Sequence, residues 1–436
     1  MTEAVLKPSF WQRAGTSAWL SFWFVFVYNG CNYLTSLRDD VGTCAFDWEL
    51  TLFPFLPSFI IPYWSIDLLF VVAPFFVPNR YLLGQHLKRV SFGIAVAGVF
   101  FLLFPLKLAF TRPEVTGWQA PFFASLENFN NFYNCAPSLH IVLRTCLWSI
   151  YVTPARGLPR GLLAVWFACI GASTLLCWQH HIIDVLTGQL LGLFCLWLFP
   201  SVPIPSVRTE VNQRSNASFR IARLYAMVCV LFTALAVAGW PETVPLLWPG
   251  VSFLLLTLAY LGGGPSLFRK VEGRQLPNSR WLLAPYRWIA RLTARYFNAG
   301  HPAYAELRPG LFVGRALTQQ EALELSCPAV LDLTAEYDEV PAFLCKEYKN
   351  IAILDLTLPS LEQLREGADF LRAHPQCYLH CSLGLGRTCL MAAAYLIAQE
   401  GLTVAQALEE VRKVRPRLRL AQGAEALLTR FAGGQE

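Results

Sequence analysis

The clearest chemistry in the chain lies in nine consecutive residues, His380-Cys381-Ser382-Leu383-Gly384-Leu385-Gly386-Arg387-Thr388. An apolar run from Gln376 to Leu379 precedes them and reads as a strand. Cys389 to Glu400 follows and reads as a buried helix. A cysteine, five residues and an arginine on a strand–loop–helix can form a phosphate cradle. Loop amides and the helix N-terminus then point at one spot, and the glycines let the backbone curl around it. Such a field favours the thiolate of Cys381, the form that attacks. Arg387 can fork onto two phosphate oxygens, and Thr388 can hydrogen-bond the sulfur as it leaves.

A second constellation lies far upstream, in three pieces. Lys107 and Arg112 close one apolar run, Cys135-Ala136-Pro137-Ser138-Leu139-His140 opens the next, and Ser173-Thr174 with His180-His181-Ile182-Ile183-Asp184 ends a third. Ionisable groups at the ends of apolar helices are costly and point to function. The His180–Asp184 spacing is one helical turn, so the carboxylate can fix the imidazole tautomer and leave its other nitrogen free to attack. His140 could protonate a leaving oxygen while Lys107 and Arg112 hold phosphoryl charge.

The surrounding sequence must place these groups. Of 436 residues, 55% are hydrophobic and only 15% charged, with mean hydropathy +0.42, which argues for a membrane protein. Apolar runs of spanning length lie at 17–37, 55–77, 90–110, 138–154, 161–178, 182–203, 222–240 and 244–263. Basic residues mark alternate connections: Lys7 and Arg13; Arg80, Lys88 and Arg89; Arg156 and Arg160; Arg208, Arg214, Arg220 and Arg223; then Arg269 to Arg280. The others carry acids, among them Asp39, Glu49, Glu114, Glu127 and Glu242. The positive-inside rule puts both termini and the Cys381 site on the cytoplasmic side of a cell membrane, and the His140/His180 site on the other. The net charge of +6 falls beside apolar spans, so membrane orientation, not nucleic acid, accounts for it. The thirteen cysteines show no metal or disulfide spacing, and the expected chemistry needs no cofactor.

The segment His380–Thr388 resembles the signature of the cysteine-dependent protein-tyrosine and dual-specificity phosphatases. That resemblance implies a general-acid aspartate upstream, and Leu354-Asp355-Leu356-Thr357-Leu358-Pro359-Ser360 supplies Asp355. It also implies that residues 382–386 (Ser382, Leu383, Gly384, Leu385, Gly386) bind phosphate. The upstream pieces resemble the type 2 phosphatidic acid phosphatase superfamily, which includes inositol phosphorylceramide and sphingomyelin synthases. By its pattern His180 is the nucleophile, Asp184 its partner and His140 the general acid. Thr174 stands where those phosphatases carry arginine, and only four residues separate Lys107 from Arg112. Hydrolysis, headgroup transfer and a degenerate site therefore all stay open there.

The expected architecture is a polytopic all-α membrane domain of about eight spans followed by a soluble α/β phosphatase domain. Its parts are a six-helix region at 1–205, two further spans at 206–265, a basic amphipathic linker at 266–299, and the cytoplasmic phosphatase domain at 300–436. Glu336 and Asp338 read as loop charges. The expected partners are membrane lipid and a phospholipid or other phosphorylated substrate, with no nucleic acid. The function expected is phosphomonoester hydrolysis, most naturally of phospholipids, through a cysteinyl phosphate. The alternative is a protein phosphatase anchored by a membrane domain that transfers headgroups or is inactive.

Overall fold

The computed structural model describes residues 6–129, 133–204 and 216–434. Arg208 and Arg214, two of the basic residues used for orientation, lie outside them. The chain divides into two compact units, Met1–Pro203 with Leu235–Pro245, and Ile204–Ala234 with Leu246–Glu436.

The first unit is helical: α1 (Phe10–Ser36), α2 (Glu49–Leu52), α3 (Ile60–Phe76), α4 (Arg80–Leu103), α5 (Ala120–Phe129), α6 (Leu139–Tyr151), α7 (Gly157–Leu176) and α8 (Ile182–Leu198). Two short strands, β1 (Gly42–Thr43) and β2 (Leu106–Lys107), pair in parallel. Val90, Ile94 and Phe101 of α4 and Val142, Cys146 and Leu147 of α6 share one buried core with Leu20, Ile66 and Phe167. The third apolar run differs from expectation. Its helix begins at Arg80, where the Asn79 side chain accepts from Leu82 N, and stops short of Pro105. Lys88 and Arg89 therefore belong to the helix rather than to a connection. Arg89 is buried and donates to Phe199 O at 2.7 Å and to the Ser149 and Ser201 hydroxyls.

A helix occupies each of the eight apolar runs, but not all have spanning dimensions. Among the described residues, five helices are long and apolar enough to cross a membrane: Pro57–Phe76, Arg80–Leu103, Gly157–Leu176, Ser218–Ala238 and Val244–Gly263. At a rise of 1.5 Å per residue, the 13-residue α6 reaches only about 20 Å. α1 has the length, but Asn29, Asn32 and several hydroxyls dilute it.

The second unit carries α9 (Asn216–Ala238, whose last turn falls in the first unit) and α10 (Leu247–Leu258). α10 ends in a widened turn where Gly262 takes φ +131° and Gly264 φ +67°. A hairpin follows, β3 (Lys270–Val271) with β4 (Arg274–Gln275), then α11 (Pro277–Leu282) and α12 (Ala284–Asn298). Beyond it is a five-stranded sheet in the order β5-β6-β9-β7-β8. Its strands are β5 (Tyr304–Arg308), β6 (Leu311–Arg315), β7 (Ala329–Thr334), β8 (Glu347–Ile353) and β9 (Cys377–Cys381). β5 and β6 are antiparallel and the other neighbours parallel. The connecting helices are α13 (Gln319–Glu324), α14 (Pro341–Leu344), α15 (Leu361–Ala373), α16 (Arg387–Glu400), α17 (Val404–Val414) and α18 (Ala424–Ala432). Central β9 is buried along its whole length, and α16 packs against it with Cys389 to Ile397 in the core. The site is thus set at the C-terminal end of a central parallel strand, where such sheets open a crevice.

Candidate active site

Cys381 ends β9, and the loop to α16 turns back over it. The Gly384 amide donates to Cys381 Sγ at 3.3 Å. Gly384 takes φ +68°, and a Cβ there would meet the Gly314 backbone at 2.5 Å, so only glycine fits this turn. Register places Arg315 of β6 beside Cys381. Arg415, buried from outside the loop, gives its guanidinium to the carbonyls of Gly384 (3.2 Å) and Leu383 (3.4 Å). It braces the loop rather than adding charge to its inside. The Thr388 hydroxyl donates to Gly314 O at 3.2 Å, and the sulfur's contact is the Gly384 amide.

Arg387 opens α16 and is almost wholly buried. Glu336 grips one edge of its guanidinium in a fork, Oε2 at 3.0 Å from Nη1 and Oε1 at 2.6 Å from Nη2. Ile353 O takes a further bond at 2.8 Å. Glu336 is therefore no loop charge. It fixes Arg387 and leaves its buried Nε without a hydrogen-bond partner among the described residues, a donor that a forked anion on the Nε–Nη2 edge would use. Asp355 lies on that edge, Oδ1 at 3.1 Å from Nη2, with its side chain 39% exposed. Desolvation by its surroundings, joined by the charge of Glu336 and opposed by Arg387, raises its carboxyl above the ordinary value. The next residue, Leu356, holds φ +59° with its side chain exposed, a strained conformation at the acid loop. Tyr260, just beyond α10, donates to Asp355 O at 2.9 Å.

Behind the cradle lies a buried polar cluster. His380 Nε2 is 2.8 Å from Glu339 and 3.9 Å from Asp332. Burial opposes charge on His380, but these two carboxylates overcome it and raise its pKa to about 9. Asp332 also binds the Lys270 ammonium and the Tyr348 hydroxyl, the latter at 2.7 Å. Burial works against its ionisation, yet Lys270 and His380 hold it at about 2. Asp332, Glu339 and His380 bring ligand atoms within 4.8 Å of one another, a set able to hold a metal ion. Lys270 already supplies the cation. Asp338, the other expected loop charge, accepts from the Gln275 amide (2.7 Å) and from Arg287 (3.0 Å).

The upstream constellation converges in part. His180 Nδ1 is 3.2 Å from Asp184 Oδ2, but the two do not share a helix face. His180 precedes α8, and Asp184 reaches back from its first turn to accept from the His181 amide at 2.8 Å. That fold-back leaves His180 Nε2 as the free lone pair. Ser138 N donates to Asp184 O at 2.9 Å, joining the piece that carries His140 to the piece that carries His180. The His140 ring stacks on Tyr63 at 4.2 Å. Arg112 lies over the Phe123 ring at 5.5 Å, and Lys107 is exposed. Sequence reasoning missed Glu49 and His181. His181 Nε2 accepts from Ala109 N at 3.1 Å, so its Nδ1 carries the proton toward Glu49 Oε2, also at 3.1 Å.

No protein-family model matches the chain. Phosphatidylglycerophosphatase and protein-tyrosine phosphatase 1 of Rattus norvegicus is 30% identical over 132 residues, 27% of this chain and 67% of that protein. Phosphatidylglycerophosphate phosphatase PTPMT2 of Arabidopsis thaliana is 28% identical over 126 residues, 28% of this chain and 52% of that protein. The crystal structure of Tk-PTP in its active form has 27% sequence identity and covers 30% of this chain and 97% of that one, with a TM-score of 0.28.

Proposed function

Through its C-terminal domain the chain belongs to the family of phosphatidylglycerophosphatase and protein-tyrosine phosphatase 1, and on that premise we propose that it is a membrane-bound phosphatase of phospholipid monoesters. Cys381 attacks phosphorus as the thiolate, and an S–P bond forms as the ester P–O bond breaks. Asp355, protonated, gives its proton to the leaving alkoxide. Water then attacks the cysteinyl phosphate, Asp355 takes a proton from it, and inorganic phosphate leaves with the thiolate restored. The Nε–Nη2 edge of Arg387 and the loop amides stabilise the equatorial oxygens in both steps. The observation that carries this reading is the contact of Arg387, which closes the Cys381 loop, with both Glu336 and Asp355.

Residues 382–386 carry no charge, and Arg415 is committed to backbone carbonyls. Both facts favour a single terminal phosphate over an inositol ring bearing several. The test is phosphate release by the full chain from vesicles of phosphatidylglycerol phosphate, phosphatidylinositol trisphosphate and from phosphotyrosyl peptides. The proposal expects the first to be the best substrate. Faster turnover of peptide would make the chain a protein phosphatase with a membrane anchor.

For the first unit we propose phosphoryl transfer from His180, with Asp184 fixing its tautomer and His140 as acid. The distribution of basic residues supports putting this site on the extracytoplasmic side and the Cys381 site on the cytoplasmic side. The His180–Asp184 contact supports the assignment, and a phosphohistidine trapped from a labelled lipid phosphate, absent in His180→Gln, would test it.

A further inference from the structure

The groove between α9 and the end of α10 has no role in the cysteine chemistry. It encloses about 500 Å³ and is lined by Phe219, Arg220, Arg223, Ala226, Thr257 and Leu261. Two arginines of α9 thus line it together with apolar side chains, between two helices long and apolar enough to cross a membrane. The groove adjoins the acid loop. Thr257 and Leu261 flank Tyr260, whose hydroxyl holds Asp355 O, and Tyr225, two residues after Arg223, sets its ring against Tyr260 at 5.5 Å.

We propose that this groove binds the inner phosphodiester of the lipid substrate while its terminal phosphomonoester enters the Cys381 cradle. The inference rests on the lipid-phosphatase reading above and adds the feature that selects the headgroup. The cradle offers one forked cation, Arg387, and no charge between Cys381 and Arg387, so it can pair only one phosphate. A second anionic group would be desolvated without a partner there, but meets Arg220 and Arg223 in the groove. Phe219, Ala226 and Leu261 supply apolar lining beside the two arginines, a surface that suits the part of the lipid next to its acyl chains. The fitting substrate is a diacyl lipid with an inner phosphodiester and one terminal phosphomonoester. A lipid with the monoester alone has nothing for the groove to hold.

The test uses the full chain in zwitterionic nanodiscs with three substrates: phosphatidylglycerol phosphate, phosphatidic acid with the same acyl chains, and a soluble aryl phosphate. Arg220→Gln/Arg223→Gln should lower kcat/KM for the first at least about tenfold, the loss expected for charge-assisted hydrogen bonds. Phosphatidic acid and the aryl ester should keep their rates. Arg274→Gln, which removes an exposed charge elsewhere, should change none of them. Equal losses on both lipids, or the same loss in Arg274→Gln, would reduce the arginines to bulk attraction and overturn the groove. An unchanged rate on the two-phosphate lipid would overturn it as well. If the double variant loses its aryl-phosphate rate, Ala226→Trp fills the groove without touching charge and carries the same expected and overturning outcomes. Wild-type protein that cleaves the aryl ester but neither lipid would overturn the lipid-phosphatase reading, and the groove with it.

Discussion

Asp355 must hold a proton before it can donate one. Its surroundings raise its carboxyl above the ordinary value, so the protonated form persists to higher pH and the alkaline limb of kcat/KM should shift upward with it. Asp355→Asn should slow alkyl phosphates by about 10²–10⁴ and aryl phosphates, whose leaving groups need no proton, far less. Equal losses on both would remove Asp355 from the acid role. Cys381→Ser in the full chain should abolish release from every substrate of this site, because a hydroxyl is a poor nucleophile at neutral pH; retained turnover would exclude the thiolate. His380 bears on stability. Its folded pKa near 9 exceeds the unfolded value of about 6.5. Its contribution is therefore full below about pH 6.5 and lost as pH rises through about 9, by roughly 3 kcal/mol. Urea midpoints of His380→Gln should be flatter than wild type across that window. The pairing of Cys381 with Arg387 could be read from sequence because a loop of fixed length ties type to spacing, whereas Asp355 comes only from the family resemblance. Glu336 could not be read: it grips Arg387 from 51 residues away in sequence, and nothing local marks an acid that a distant arginine will bury.

Elements were legible in proportion to their periodicity. The helix read from Cys389 to Glu400 matches α16 to within about two residues. β5 offers little to read, because its short run, Tyr304 to Arg308, is half polar at an edge. The β3–β4 hairpin is two residues per strand, too short for any period to show. The stretch 266–299, read as a basic linker, nonetheless supplies buried contacts: Lys270 to Asp332, Gln275 and Arg287 to Asp338, Gly273 O to Glu339 N. A fragment starting at His301 therefore leaves the buried Asp332 without its lysine. It should be less stable than a fragment of 264–436 by about 3 kcal/mol, the usual cost of removing one partner from a buried pair. Equal urea midpoints would show that the hairpin only rests on the domain.

At the scale of the molecule the open matter is which side of the membrane each site faces. Among the described residues five helices have spanning length and hydropathy; sidedness is argued from where the basic residues fall. A native reporter exists, since Cys345 at the end of α14 is exposed, whereas the other cysteines are buried or partly so. If the phosphatase domain is cytoplasmic, a membrane-impermeant maleimide should leave Cys345 unlabelled in intact cells and label it after permeabilisation. In a Cys345→Ala background, Glu114→Cys should behave oppositely and react in intact cells, because its connection carries acids and lies three apolar runs after the basic N-terminus. Partly buried Cys169 and Cys229 lie within the apolar helices α7 and α9, which a water-soluble reagent does not enter. Labelling of both positions from the same side would place the His180 and Cys381 chemistries in one compartment. It would also require an even number of crossings between residues 114 and 345.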